Sequence, residues 1–144
     1  MNYYCESHYS DTITEETYNQ AKDFISQQHM ENSDHPAIKN MLEDNPAGFL
    51  SSIKNKQRWT QGHGEITFLF FNRKIVGISC VEKSQISNHL TIGGIRCWLD
   101  KLHRNDNQVT QYLLRCNLAW SESNHAIGML LTFNDYNKII YDGI

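Results

Sequence analysis

The chain changes its periodicity at one place, and that change limits the folds open to it. Before Gln61-Gly62-His63-Gly64, apolar residues recur at helical spacing. After it come two short runs rich in β-branched and aromatic residues, Glu65 to Phe71 and Ile75 to Val81, with Asn72-Arg73-Lys74 between them. Two such runs around a turn predict an antiparallel hairpin. Leu90 to Leu99 predicts a third strand, and Gly93-Gly94 inside it points to a bulge or a close approach of backbone.

The flanks complete the order. Residues 1–11 read as a polar arm or a short first strand, with Tyr4 and its neighbours suited to a sheet edge. A helix begins near Thr12 or Thr14, with Glu15 and Glu16 in the first turn, where the dipole favours negative charge. Tyr18, Ala21, Phe24 and Ile25 form its apolar face, and Glu31 to Pro36 breaks it. A second helix is expected within Pro36 to Glu43, ended by Asn45-Pro46, and Phe49, Leu50 and Ile53 suggest one more helical turn. Past the polar stretch Lys101 to Gln108, the stripe Val109, Tyr112, Leu113, Cys116 and Trp120 predicts an amphipathic helix that Ser123-Asn124-His125 ends. Ala126 to Phe133 then reads as a strand, and Asn137 to Tyr141 as the start of a short helix. A hairpin followed by a strand-helix-strand crossover implies a mixed α/β (α+β) fold, its sheet mostly antiparallel and flanked by helices. At 144 residues one domain is expected.

Several function classes are disfavoured. The longest apolar runs, such as Phe68 to Phe71, are too short to cross a membrane, and the N-terminus lacks the basic and apolar regions of a secretory signal. Net charge is −3 with scattered basic residues, so no nucleic-acid partner is expected. Cys5, Cys80, Cys97 and Cys116 form no C-x-x-C pair, and the last three sit in apolar segments. They read as reduced core cysteines of a cytoplasmic protein. The seven histidines show no H-x-x-x-H spacing, so no metal site is expected, and His63 reads as a turn residue.

The strand-loop-helix segment from Leu99 to Val109 is the place for chemistry. A loop entering a helix exposes unpaired backbone N–H groups that suit phosphate, although Asn105, Asp106 and Asn107 also serve as helix caps. At this loop the chain resembles the GCN5-related N-acetyltransferase family. There an arginine or glutamine is followed by x-x-G-x-G or x-x-G-x-A, and the loop amides hold the pyrophosphate of acetyl-coenzyme A. Arg104 falls on the first position, and the two glycine positions fall on Asn107 and Val109. Asn107 takes a left-handed conformation more readily than most residues, whereas β-branched Val109 would crowd the phosphate. The resemblance implies Leu99, Arg104, Asn105, Asp106, Asn107, Gln108 and Val109 as binding residues for acetyl-coenzyme A, the cosubstrate.

The tail carries the same resemblance. Asn134, Asn137 and Tyr141 fall at the family's intervals of a strand-end asparagine, a small residue three on, and a tyrosine four beyond. This implies Asn134 and Asn137 on the cofactor side and Tyr141 as the general acid that protonates the departing thiolate. Read without the family, Tyr141 is a core or rim tyrosine. The resemblance covers about residues 64–144 and assigns residues 1–63 to the acceptor side. The family adds two strands after the tyrosine helix and this sequence does not. Either the fold is minimal, or a further segment or partner, such as a second copy of the chain, covers that sheet edge. The acceptor is expected to be an amine of a small molecule or a protein. Backbone N–H groups from Trp98 to Asp100 would polarise the thioester, and Glu65, Glu82 and His103 are candidate bases. Two other readings stay open: a non-catalytic interaction domain on this fold, and an unrelated α+β protein. A gap between the strands at Leu90–Leu99 and Ala126–Phe133, wide enough for a pantetheine arm, separates the family from the last of these.

Overall fold

A computed structural model describes residues 3–31, 46–87, 89–104 and 106–131. Their order is β1 (Tyr3–His8), α1 (Glu15–Glu31), α2 (Pro46–Lys54), β2 (Gly64–Phe71), β3 (Lys74–Lys83), β4 (Leu90–Leu99), a 3-10 turn (Lys101–His103), α3 (Asn107–Ser123) and β5 (Gly128–Leu131). The expected helix within Pro36–Glu43 and the expected final helix lie outside the described residues.

The strands form one sheet in the order β1-β2-β3-β4-β5. The first three pairings are antiparallel and β4 pairs with β5 in parallel, the mixed sheet that the crossover implies. The early residues are a strand: Tyr4 stacks on Phe70 with ring centroids 5.0 Å apart, and Tyr3 packs on Phe71 at 4.7 Å. Such cross-strand pairs stabilise a sheet edge. The hairpin turn is tighter than expected. Asn72 and Arg73 both have positive φ, 50° and 68°, and Lys74 already pairs with Phe71. Two left-handed residues make the primed turn whose twist matches the strands.

Local chemistry sets the helix ends. The Thr14 hydroxyl accepts the Thr17 N–H at 3.2 Å, which caps α1. Pro46 opens α2 instead of only closing what precedes it, because its missing N–H costs nothing at a first helical position. Asn124 closes α3, and His125 follows at φ 64°.

The core has two parts, one on each face of the sheet. On the first, α1 and α2 pack Ala21, Phe24, Ile25, Leu50 and Ile53 against Trp59, Phe68 and Ile78. On the second, α3 brings Val109 and Leu113 onto Leu69, Val76, Cys97 and Leu99. Cys80 and Cys97 are buried, whereas Cys5 and Cys116 are half-buried, and the Cys116 thiol donates to the Tyr112 carbonyl at 3.4 Å. No described helix is long and apolar enough to cross a membrane.

Candidate functional site

The irregular strand β4 organises the candidate site. Its register against β3 shifts twice: Cys80 faces Ile95 and Glu82 faces Ile92, so Gly93 and Gly94 together oppose the single residue Val81. A bulge of this kind aims the backbone differently on its two sides. Gly94 has φ +67°, a conformation glycine adopts without cost.

One side chain of α3 fastens the bulge. Asn117 is fully buried. Its Oδ1 accepts the Gly94 N–H at 3.1 Å and the Ser79 hydroxyl at 2.6 Å, while its Nδ2 donates to the Ser79 carbonyl at 3.4 Å. One turn on, the Ser121 hydroxyl donates to the Asn117 carbonyl at 3.0 Å. Its single proton is thereby used, so Thr91 donates in the 2.6 Å contact between the Thr91 and Ser121 hydroxyls. Such a satisfied polar row in a dry interface specifies geometry, because each lost partner leaves a buried group unpaired.

Beside the bulge, β5 pairs with β4 from Leu90↔Gly128 to Gly93↔Leu131. Met129 lies over Gly93: a Cβ there would stand 2.4 Å from Met129 Sδ, so any larger residue would require the methionine side chain to move. The next amide of β4, that of Gly94, donates to Asn117. Residues 132–144, with Asn134, Asn137 and Tyr141, lie outside the described residues, as does Asn105. The described pairing of β4 with β5 runs to Leu131, and the stretch in which a gap between the strands was expected falls outside the described residues.

At the far end of β4, Leu99 is buried and its carbonyl accepts Arg104 Nε–H at 2.7 Å. Of the amides expected to meet a thioester, that of Asp100 donates to the Val76 carbonyl at 2.7 Å. The alternation of an antiparallel ladder turns the Trp98 amide toward β3 as well, and the Leu99 amide away from it, to the β5 side. The expectation therefore narrows from three amides to that of Leu99. Asp100 also fixes the loop: its Oδ2 accepts the Leu102 N–H at 3.3 Å, and its Oδ1 accepts Gln28 Nε2 at 2.6 Å. Gln28 Oε1 in turn accepts Trp98 Nε1–H at 3.1 Å, which docks α1 on the end of β4.

Asp106 caps α3, as one reading of the loop expected. Its Oδ1 accepts the Gln108 N–H at 2.9 Å and its carbonyl accepts the Val109 N–H at 3.1 Å. Two expectations about this loop are corrected. Asn107 is the first helical residue and is not left-handed. Val109 does not crowd the helix end, because the apolar stripe of α3 turns its side chain into the core beside Leu99 and Leu113. Asn107 and Gln108 are exposed.

The candidate bases separate in space. Glu65 is the second residue of β2, two strands from β4, and accepts the Tyr9 hydroxyl at 3.5 Å. Burial raises its carboxyl above the usual 4.5, against the hydrogen bonds of Ser7 and Tyr9 that lower it. His103 hydrogen-bonds the Tyr3 hydroxyl beneath β1. Glu82 faces Ile92, two residues before Gly94 and so about 7 Å along the strand from the bulge. It pairs with Arg58 Nε at 3.4 Å in a cleft of roughly 760 Å³ that His63, Lys83, Ile86 and Ile92 also line.

No protein-family model and no curated protein matches the sequence. Solved structures match over nearly its whole length. ElaA from Escherichia coli superposes with a TM-score of 0.65 at 11% identity, covering 97% of this chain and 84% of that one. For the ribosomal-protein-alanine N-acetyltransferase from Brucella melitensis the values are 0.61, 8%, 97% and 86%. The fold is that of the GCN5-related N-acetyltransferases. Glucosamine-6-phosphate N-acetyltransferase from Arabidopsis thaliana superposes too, at 0.56 and 12% identity over 96% of this chain and 88% of that one. An unrelated α+β architecture is thereby set aside.

Within this acetyltransferase fold, Asn117 is the residue that sequence reasoning missed. The signal was present: Leu113, Asn117 and Trp120 share the buried stripe of α3, and a polar residue on an apolar stripe asks for a buried partner. Arg58 carried no comparable signal, because its partner Glu82 is 24 residues away.

Proposed function

We propose that this chain is an acetyl-coenzyme A-dependent N-acetyltransferase acting on an amine. The observation that carries the reading is the capture of the Gly94 amide by Asn117 at the point where the described pairing of β4 with its parallel neighbour ends. The bulge fastened there makes β4 irregular beside its parallel neighbour, and irregular backbone at such a place suits an extended thioester arm.

In this reading the amine nitrogen attacks the thioester carbonyl, an N–C bond forms, and the C–S bond breaks. Glu82 receives the proton of the amine, directly or through one water, since it is the carboxylate on the strand beside the bulge. Tyr141 protonates the thiolate, with Asn134 and Asn137 on the same wall. The loop from Arg104 through Asn105, Asp106, Asn107, Gln108 and Val109 meets the diphosphate with the N-terminus of α3. Residues 1–63 lie on the acceptor side, joined there by Glu82, and the rest of residues 64–144 serve the donor side. Reduced thiols agree with a cytoplasmic protein.

The loop fits its ligand with one conflict. Asp106 already satisfies the Gln108 amide and adds negative charge, so a diphosphate must displace its carboxylate. Donor binding is accordingly weaker than in a loop with glycine. The same observation favours a second reading, a non-catalytic interaction domain on this fold. Calorimetry and a thermal-shift titration with acetyl-coenzyme A decide between them. Binding that raises Tm, with acetyl transfer that Tyr141→Phe strongly reduces, supports the enzyme. No heat and no shift at millimolar donor, in the native chain and in Asp106→Asn alike, overturns it.

A further inference from the structure

The cleft around Glu82 carries an inference about the acceptor, and it rests on the acyl-transfer reading. The whole chain bears a net charge of −3, yet this cleft places two cations, Arg58 and Lys83, around one carboxylate, Glu82. Arg58 reaches Glu82 through Nε at 3.4 Å. A guanidinium has five N–H donors in a planar fork, so the terminal nitrogens can serve a second anion while Nε holds the first. The guanidinium lies over the Trp59 ring, 4.6 Å from its centroid, and Trp59 is fully buried, so the fork rests on an anchored surface. The backbone beneath is equally anchored: the Lys83 N–H donates to the His63 carbonyl at 3.0 Å and the Ser84 N–H to the Leu90 carbonyl at 3.0 Å. Ile86 and Ile92 provide a small apolar wall.

We propose that the acceptor is a small primary amine bearing an anionic group, carboxylate or phosphate. The amine lies beside Glu82, on the side of Ile92 and the bulge, and the anion lies between the terminal nitrogens of Arg58 and Lys83. Arg58 and Glu82 are adjacent, so the two charges of the acceptor are two or three carbons apart. On transfer, the bound ammonium first gives one proton to Glu82, the neutral nitrogen then bonds to the acetyl carbon as the C–S bond breaks and sheds its second proton to water, and the thiolate leaves with the proton of the general acid. A polyamine is disfavoured, because its second ammonium would meet two cations.

Calorimetry with the full chain tests this without relying on turnover. The probes are 2-aminoethyl phosphate, β-alanine, ethanolamine and 1,4-diaminobutane, each with and without acetyl-coenzyme A. At least one anionic amine is expected to bind about tenfold more tightly than ethanolamine, a difference of about 1.4 kcal/mol, and to weaken with salt. The phosphate and carboxylate probes distinguish the two anions. Arg58→Gln is expected to abolish the preference and Lys83→Gln to reduce it, with circular dichroism and Tm confirming that each variant is folded. Equal or tighter binding of ethanolamine or diaminobutane overturns the inference, as does an unchanged preference in both variants, or no binding of any amine. If acetyl-coenzyme A binds while the amines show no anionic preference, the acceptor inference fails alone. If the anionic amines bind and the donor never does, the acyl-transfer reading fails and the cleft stands as a binding site only.

Discussion

The two faces of the sheet are held by different forces. Under α1 and α2 the contact is mostly apolar, with Phe24, Leu50, Trp59, Phe68 and Ile78 shut away from water and one polar dock, Gln28, at the end of β4. Under α3 an apolar cluster around Leu69 and Leu113 gives way, toward β5, to the polar row of Ser79, Asn117, Thr91 and Ser121. Apolar burial has no direction, so it stabilises any arrangement that excludes water. Hydrogen bonds have direction, and only they can hold a strand two residues out of step with its neighbour. The first face supplies stability, and the second supplies the shape of β4.

The largest effect expected from this contrast is on the first face. Phe68 is fully buried, and Phe68→Ala should lower the unfolding free energy by about 3–5 kcal/mol in urea. Exchange of the Gly94 amide should then follow global unfolding, with no separate local opening. On the second face, Asn117→Leu strands the Gly94 amide and the Ser79 hydroxyl, at a cost of about 1–3 kcal/mol. It should open Gly94 locally, seen as amide exchange faster than the global rate, and lower acetyl transfer beyond what the loss of stability explains. A native exchange rate at Gly94 in that variant would break the contrast.

A smaller effect belongs to the helix end. Asp106→Asn keeps a good cap and removes one negative charge, so stability should change by less than about 1 kcal/mol. Affinity for acetyl-coenzyme A should rise about three- to tenfold, about 0.7–1.4 kcal/mol, and unchanged affinity would remove Asp106 from the donor site. The smallest effect sharpens the picture of the second face, where Glu65 is a buried acid. Its carboxyl titrates above the usual 4.5 because burial disfavours the charge. The folded state therefore holds the proton more tightly than the unfolded one. Stability from this group is full below the unfolded carboxylate range and is lost as pH rises to the folded value. Thermal melts across mildly acidic pH should show that decline, and Glu65→Gln should flatten it.

Much of the fold was legible. The hairpin and β4 stood out as β-branched and aromatic runs between breakers, and α3 showed its stripe through Val109, Leu113 and Trp120. Gly93-Gly94 marked the bulge, since a glycine pair inside a strand has few other uses. The turn was misjudged by one residue, because left-handed φ at Arg73 is a cost that only the twist of the two strands repays. At the candidate site, Asp106 was readable as a cap, but its competition with a phosphate needed the hydrogen bond to Gln108.

Local pattern and turn chemistry, present in the sequence alone, determined the hairpin strands, β4, α1 and α3 to within a few residues, and that the sheet is mixed. Tertiary structure decided what those segments do to one another. The partners of Asn117 are 23 and 38 residues away, and the partner of Arg58 is 24 away. Periodicity reports whether a side chain is buried and is silent on what it meets there. That meeting is set by the register of β4 and the seat of α3, and those exist only once the chain has closed.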